Sequence, residues 1–130
     1  NNSGYTFTDY SVVPYNSNDA DFFFEIYQGT AYLLVYDDTD IQDMGFTSDI
    51  YDIPYAPSNG WAVNKEEIAQ IGHTYVIWTF DDHYAKIRVK NITADRVVFD
   101  WAFQLVRGEP QLKPVVRNGE RKLNKLQLAR

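Results

Sequence analysis

The chain has 130 residues, of which 45% are hydrophobic, so one domain with its own core is expected. It contains no cysteine, which excludes disulfides, zinc–thiolate sites and thiol nucleophiles. No apolar run approaches the roughly 20 residues of a transmembrane helix. The chain begins at Asn1 rather than at a methionine, which predicts a processed or shortened chain.

The net charge of −6 is divided unevenly along the chain. Residues 1–104 contain 16 acidic and 5 basic residues, whereas residues 105–130 contain 2 acidic and 7 basic ones. Because phosphate binding needs clustered positive charge, the acidic body argues against a nucleic acid partner. We therefore predict a β domain over residues 1–106 and a basic tail over residues 107–130, attracted to an acidic surface. The tail residues expected to act in assembly are Arg107, Lys113, Arg117, Arg121, Lys122 and Lys125.

The first part of the chain predicts short strands separated by turns. Residues 5–13 favour a short edge strand at the N-terminal end. Residues 20–27 (ADFFFEIY) alternate, with Phe22 and Phe24 on the same face of a strand. Residues 31–36 (AYLLVY) are apolar on both faces, which is typical of a central, covered strand.

A short helix is predicted over residues 65–71 (KEEIAQI). Asn64 can cap its N terminus, and Glu66 and Glu67 lie in the first turn, where the helix dipole favours negative charge. Gly72 ends the pattern.

Three consecutive antiparallel strands are predicted over residues 74–104. The middle strand, residues 83–90, alternates apolar residues with Lys86, Arg88 and Lys90, so one face is expected to be buried and the basic face exposed to water. The fold class predicted from these patterns is mainly β, a single antiparallel β-sandwich-like or curled-sheet domain with one short helix.

An acidic loop contains Asp37, Asp38, Asp40 and Asp43, whose carboxylates could bind calcium. The EF-hand pattern is absent, because the glycine and glutamate that it requires are missing. The alternative is a solvated loop that keeps a β edge soluble.

Trp61 follows a Pro-Ser-Asn-Gly loop and lies near Tyr51 and Tyr55 in the sequence. These aromatic residues could stack on a sugar ring or anchor a protein partner. The alternative is that Trp61 folds back to cover the sheet. Trp78 and Trp101 fall on apolar-face positions of strands and could pair across the sheet, with packing in the core as their expected use.

Signatures of catalysis are absent from the sequence: there is no GxSxG, P-loop or HExxH motif. His73 and His83 could be ligands or bases, but their positions at strand ends favour structural roles. Asp100 lies between aromatic residues in a strand, and an ion pair with Lys86 or Arg88 is expected to hold it. A non-enzymatic protein is predicted.

The segment TYVIWTFDDHYAKIRV, followed by FDWAFQ, resembles the C-terminal part of the HmuY-like family of secreted or lipid-anchored bacterial β-rich proteins. The resemblance covers residues 74–104. Similar segments are also found in uncharacterised domains of bacterial extracellular proteins. The resemblance implies export, a β fold and a binding role at the cell surface. The best-known members bind haem through side chains outside this hairpin, and no matching ligands are placed here.

Together these observations predict an extracellular or cell-surface binding and assembly module, whose basic tail docks on an acidic neighbour or on a second copy. The alternative is a ligand-capture protein for haem or carbohydrate. No cofactor is required by either function, with calcium and haem as the two that could be bound.

Overall fold

The computed structural model describes residues 3–6, 11–14, 21–93, 97–112, 115–117, 120–122 and 126–129, with side chains over residues 21–93 and 97–112. Within these ranges no helix is long and apolar enough to cross a bilayer. The strands are β1 (Ser3–Thr6), β2 (Ser11–Pro14), β3 (Phe22–Tyr27), β4 (Thr30–Leu34), β5 (Asp40–Phe46), β6 (Glu66–Ile68), β7 (His73–Trp78), β8 (Tyr84–Ile92), β9 (Val97–Phe103), β10 (Val115–Arg117), β11 (Glu120–Lys122) and β12 (Leu126–Ala129).

Two antiparallel sheets form the domain. The first has the strand order β2-β1-β3-β4-β6, and the second has the order β12-β9-β8-β7-β5. The strands with described side chains number three in the first sheet and four in the second. β10 and β11 pair only with each other among the described strands. The predicted mainly β, antiparallel fold is confirmed, as is the meander of β7, β8 and β9.

The core lies between the two sheets. In the first sheet Phe22, Phe24 and Leu33 point inward, and in the second sheet Ile87 and Trp101 do so. This pattern confirms the alternation expected over residues 20–27, since successive side chains of a strand point to opposite faces. The core is continuous across the sheets: the Phe22 ring meets the Phe99 ring edge-on, with centroids 5.5 Å apart.

The helix predicted over residues 65–71 is wrong. Residues Glu66–Ile68 form β6, which pairs antiparallel with β4. Lys65 has a φ of 62°, which no right-handed helix accepts. The free edge of β4 offers backbone partners that a two-turn helix could not match, so strand pairing overrides the local propensity. The only helical turn in the described residues is a 3-10 turn at Ile50–Asp52.

The connection from β5 to β6 crosses the outer face of the second sheet, and we call residues 47–61 the strap. At its start, the Thr47 carbonyl accepts a hydrogen bond from Arg88 Nη2 at 2.9 Å, and the Thr47 hydroxyl lies 2.7 Å from that of Thr74. Ile50, a residue of the strap itself, is only 2% exposed. The strap therefore makes a second, smaller apolar layer on the face opposite the core.

This layer corrects the prediction that the basic face of β8 is wet. Lys86 is fully buried, Arg88 is half-buried and Lys90 is exposed. The first two lie under or against the strap, whereas Lys90 lies beyond it near the end of the strand.

Residues 107–112 lean on the strap. The backbone amide of Leu112 donates to the Pro54 carbonyl at 2.7 Å, that of Ala56 donates to the Pro110 carbonyl at 2.8 Å, and Leu112 is buried. Further on, β12 pairs with β9, with Leu126 opposite Ala102. The division between a domain ending at residue 106 and a tail stays a prediction.

Replacing Leu33 by alanine should reduce the free energy of unfolding by about 3 kcal/mol, because Leu33 is fully buried in the middle of the first sheet and the cavity cannot collapse. Val63→Ala is the matched control, since Val63 is 93% exposed and should change stability by less than about 0.5 kcal/mol. Chemical denaturation of both variants measures the difference. Equal losses in the two variants would contradict the assigned core.

Candidate binding site

Three aromatic rings come together on the outer face of the second sheet, and we call Trp61, Trp78 and Tyr84 the aromatic cluster. The ring centroids of Trp78 and Tyr84 lie 5.5 Å apart, those of Trp61 and Trp78 5.9 Å, and those of Trp61 and Tyr84 6.5 Å. Trp78 and Tyr84 are directly opposed in the β7–β8 hairpin. All three side chains are half-buried, so the cluster keeps a surface that a ligand can reach.

Trp61 is placed by the end of the strap. The next residue, Ala62, donates its amide to the Ile41 carbonyl at 2.8 Å, which ties the chain to β5. Gly60 turns the backbone with a φ of +87°, and a Cβ there would lie 3.0 Å from the Gln42 side chain. A larger residue at position 60 would therefore strain the turn and require the end of the Gln42 side chain to move aside.

The ring planes of the aromatic cluster are tilted by 15° to 35° from one another. The Trp78–Tyr84 and Trp61–Tyr84 pairs are stacked, so part of each ring lies against a neighbouring ring and the remaining aromatic surface is exposed. A cage that encloses a cation needs walls at steep angles to each other, so this geometry favours a flat ligand over a quaternary ammonium group.

A groove of about 240 Å³ adjoins the aromatic cluster at Trp78. Its lining consists of Asp38, Asp40, Trp78, Thr79, Phe80 and Asp82. The Trp78 indole donates to Asp82 Oδ1 at 2.8 Å, and Lys65 Nζ lies 2.8 Å from Asp40 Oδ1. Phe80 is 56% exposed at the rim. The groove thus offers carboxylate acceptors held in place beside an aromatic surface.

Tyr84 keeps its hydroxyl proton at neutral pH. Partial burial raises its pKa above the ordinary value of 10, and the nearby Asp82 carboxylate raises it further. The hydroxyl can therefore donate or accept a hydrogen bond at the edge of the cluster.

The structure distributes the acidic residues differently from the loop that the sequence predicts. Asp40 begins β5 and pairs with Lys65, whereas Asp43 contacts His73 Nδ1 at 2.9 Å and accepts from the Gly45 amide at 2.8 Å. Asp37 and Asp38 are exposed in a turn. Over the described ranges, no three acidic or histidine side chains gather as a metal site would need. The calcium hypothesis gains no support from this arrangement.

Tyr51 and Tyr55 both lie on the strap. Tyr51 is part of the 3-10 turn, where its amide donates to Asp49 Oδ1 at 2.7 Å. Tyr55 is 49% exposed and forms a backbone bridge with Gln111. Of the three aromatic residues predicted as binding residues, Trp61 is thus the one in the cluster with Trp78 and Tyr84. It both folds back on the sheet and stays partly exposed.

The expected pairing of Trp78 with Trp101 is wrong. Trp78 lies opposite Tyr84, whereas Trp101 lies opposite Ile87, on the other face of the sheet. Trp101 is fully buried in the core. Because β8 separates their strands, the register places one indole at the surface and the other between the sheets. Tyr84 was not predicted as a site residue. Its position opposite Trp78 across a short turn could have indicated that the two rings pair.

The polar residues predicted to be structural have local partners. His83 Nδ1 lies 2.9 Å from the Gln104 carbonyl oxygen, and its ring stacks on Phe103. Asp100 approaches Lys90 at 3.8 Å rather than the predicted Lys86 or Arg88. The reason is that the strap engages both of the latter cations.

Of the predicted tail residues, Arg107 lies 3.9 Å from Asp82 at the groove. Lys113 and Lys125 lie outside the described residues, and Arg117, Arg121 and Lys122 are described through their backbone in β10 and β11.

Lys86 is the most unusual ionisable residue on this face. Its side chain is fully buried, and Nζ donates to the Ile53 carbonyl of the strap at 2.9 Å. Burial lowers its pKa from 10.5 to about 8, against an opposing effect of Asp49 and Asp52. Local sequence could not reveal this, because the covering carbonyl is 33 residues away.

Comparisons with known proteins found no family model, curated protein or solved structure that matches the chain.

Stability should rise with pH between pH 8 and 10 because of Lys86. Its pKa is lower in the folded chain than the ordinary 10.5, so in this window the unfolded chain binds more protons and deprotonation favours folding. The gain over this window should be roughly 2 kcal/mol. The window ends at pH 10 because the pKa values of Tyr75 and Tyr84 are raised by burial, so their ionisation in the unfolded chain opposes folding above that pH.

Denaturation at a series of pH values measures this slope. Lys86→Met should flatten it, whereas Lys90→Met, on the same strand but exposed, should keep it. An unchanged slope in Lys86→Met would show that another group is responsible.

Proposed function

We propose that the protein is an exported, non-catalytic binding module that takes carbohydrate on the aromatic cluster. The observation that carries the proposal is the near-parallel arrangement of three partly exposed rings on the outer face of the sandwich. The apolar face of a pyranose ring packs well on such a surface. The resemblance of residues 74–104 to HmuY-like proteins supports an extracellular or cell-surface location.

The groove adds polar recognition to this apolar surface. Sugar hydroxyls donate well to carboxylates, and Asp38, Asp40 and Asp82 line the groove directly beside Trp78. A few fixed polar groups at the edge of an aromatic surface are the usual composition of a small-molecule site. A glycan lying on the cluster could therefore extend one residue into the groove.

Binding rather than catalysis is favoured by how the groove carboxylates are engaged. Asp40 pairs with Lys65, and Asp82 accepts from the Trp78 indole. Glycoside hydrolysis needs one carboxyl group free to donate a proton. Two of the three groove carboxylates, those of Asp40 and Asp82, are instead held as fixed acceptors.

Haem is less well supported than carbohydrate. Haem iron takes an imidazole nitrogen, a sulfur or a tyrosinate as its axial ligand. His73 and His83 lie at opposite ends of the β7–β8 hairpin, with Nδ1 against Asp43 and the Gln104 carbonyl respectively, and neither belongs to the aromatic cluster.

Trp61→Ala should weaken binding to soluble neutral polysaccharides about tenfold or more, because it removes one of the three stacking surfaces. The probes are a mixed-linkage β-glucan, a galactomannan and a xyloglucan, measured by affinity electrophoresis and by tryptophan fluorescence. Tyr55→Ala is the matched control: it removes an exposed aromatic residue of the same strap and should leave affinity within about twofold. If no polysaccharide binds the wild-type protein, or if both variants bind equally well, the carbohydrate proposal fails.

A second candidate function is self-assembly through the basic tail. The favouring observation is that β12 completes the second sheet by pairing with β9 through its backbone. The same edge on another copy can accept the same strand, which makes strand exchange geometrically simple. The acidic body would add long-range attraction for the basic segment that carries the strand.

Charge reversal tests the assembly function without removing β12. A variant with Arg117, Arg121, Lys122 and Lys125 replaced by glutamate should remain monomeric at concentrations where the wild-type protein associates, because the attraction to the acidic body is lost. Wild-type association should also weaken at high salt, as screening predicts. Light scattering coupled to size exclusion measures both effects. Equal masses for the two proteins at low salt would rule out tail-driven assembly.

A further inference from the structure

The strap joins a buried cation to the binding surface. Near its middle, the Ile53 carbonyl accepts the hydrogen bond of the Lys86 ammonium group. At its end, Trp61 packs on Trp78 and Tyr84. Any movement that lifts the strap from Lys86 would therefore also disturb Trp61.

The sheet register places Lys86 in the row next to the aromatic cluster. Lys86 and Tyr84 lie two residues apart on the same face of β8, and Lys86 is opposite Val76 just as Tyr84 is opposite Trp78. The ammonium group thus shares one small enclosed layer with the rings that would contact a ligand.

The surroundings of Lys86 are mostly uncharged. Across the neighbouring strands its partners in register are Val76 and Ala102. Leu112 is buried in the segment that leans on the strap. Within the described residues, the Ile53 carbonyl is the one hydrogen-bond acceptor for its ammonium group.

The charged groups on the elements around Lys86 are few. The strap contributes Asp49 and Asp52, which are exposed and attract the ammonium group from a distance. On β8 itself, Arg88 is held by Thr47. Residues 105–112 contribute Arg107, which lies near Asp82, and Glu109, which accepts from the Gln111 amide. The same face of β8 also carries Tyr84, whose raised pKa keeps it neutral up to pH 10, and Lys90, which lies 3.8 Å from Asp100 of β9.

We propose that Lys86 is a positioning residue for the carbohydrate site, and that the strap closes over it more firmly when its amine is uncharged. Closure of the strap, and the placement of Trp61 that goes with it, then strengthens as pH rises above neutrality. The effect on ligand binding rests on the proposed function, whereas the effect on the strap does not.

Linkage gives the direction and size of the effect. Under a closed strap the pKa of Lys86 is about 8, and an open strap returns the amine to water, where its ordinary pKa is 10.5. The open form therefore binds the proton more tightly, so protonation favours opening. Between pH 7.5 and 9.5 the open fraction should fall about twentyfold.

Chymotrypsin provides the test, since it cleaves after Tyr51 and Tyr55 when the strap opens. The full-length wild-type protein is digested at pH 7.5 and 9.5, and each rate is divided by that of a synthetic peptide of residues 47–61. When reclosing is faster than cleavage, this ratio follows the open fraction. Mass spectrometry of the first products confirms cleavage within the strap. The wild-type ratio should fall about twentyfold at the higher pH.

Two variants and one control identify Lys86 as the cause. Lys86→Met should give a ratio that does not change with pH, and Lys90→Met should behave like the wild-type protein. Asp49→Asn keeps a capping side chain but removes the strongest attraction on the ammonium group, so it should move the transition to lower pH. The Asp49→Asn result and the wild-type profile decide the matter even if Lys86→Met fails to fold. A flat wild-type profile, or a transition that persists in Lys86→Met, would overturn the proposal.

Polysaccharide binding at the same two pH values separates this inference from the proposed function. A change of about twentyfold in strap cleavage without any polysaccharide binding would sustain the strap mechanism and reject carbohydrate as the ligand. Binding that depends on Trp61, with cleavage that is independent of pH, would sustain the carbohydrate site and reject the role of Lys86.

Discussion

The two faces of β8 set the constraint on which the rest of the structure depends. Its inner residues Ala85, Ile87 and Val89 are fully buried between the sheets. Strict alternation then places Tyr84, Lys86 and Arg88 on the opposite face. The apolar residues beside Lys86, Val76 and Ala102, favour covering that face, although burial of the Lys86 amine opposes it. The strap supplies the cover, and the aromatic cluster forms where the strap ends.

Charged side chains link the two sheets where β5, the edge strand of the second sheet, approaches β6, the edge strand of the first. The Asp43 amide donates to a Glu67 carboxylate oxygen at 2.7 Å, and the Asp40–Lys65 pair lies beside it. These contacts join the edge strands of the two sheets, which would otherwise expose unpaired backbone groups. Acidic residues that resemble a metal-binding loop in the sequence thus act as links between sheet edges.

The sequence predicted the features that depend on neighbouring residues. The alternation of Phe22 and Phe24, and the meander that contains Ile87, follow from the period of a strand and are confirmed by burial. The helix prediction for residues 65–71 was wrong because so short a pattern fits either a helix or a strand. Pairing with the free edge of β4 makes the segment a strand. The prediction that Lys86 is exposed to water was wrong because the strap buries it. The alternation of residues within β8 carries no information about a segment that is distant in the sequence.

The candidate binding site could be predicted from the sequence only in part. Loop position and residue type were enough to single out Trp61, but not to show its partners. Trp78 was assigned to the core because an apolar residue in a strand normally faces inward. The face on which it lies is fixed by the register of the β7–β8 hairpin, and a shift of one residue would have reversed it. Site prediction from a β sequence therefore requires the register as well as the pattern.

The anchors of the strap have a consequence for the order of folding. They join residues that are 27, 33 and 41 positions apart in the chain, whereas the β7–β8 hairpin closes locally around a short turn. Because loop-closure entropy opposes distant contacts, the strap should dock after the hairpin is formed, on the far side of the rate-limiting barrier. Its anchors would then have little effect on the rate of folding and would act mainly by slowing unfolding. The segment that shapes the binding surface is thus also a determinant of how long the native state persists.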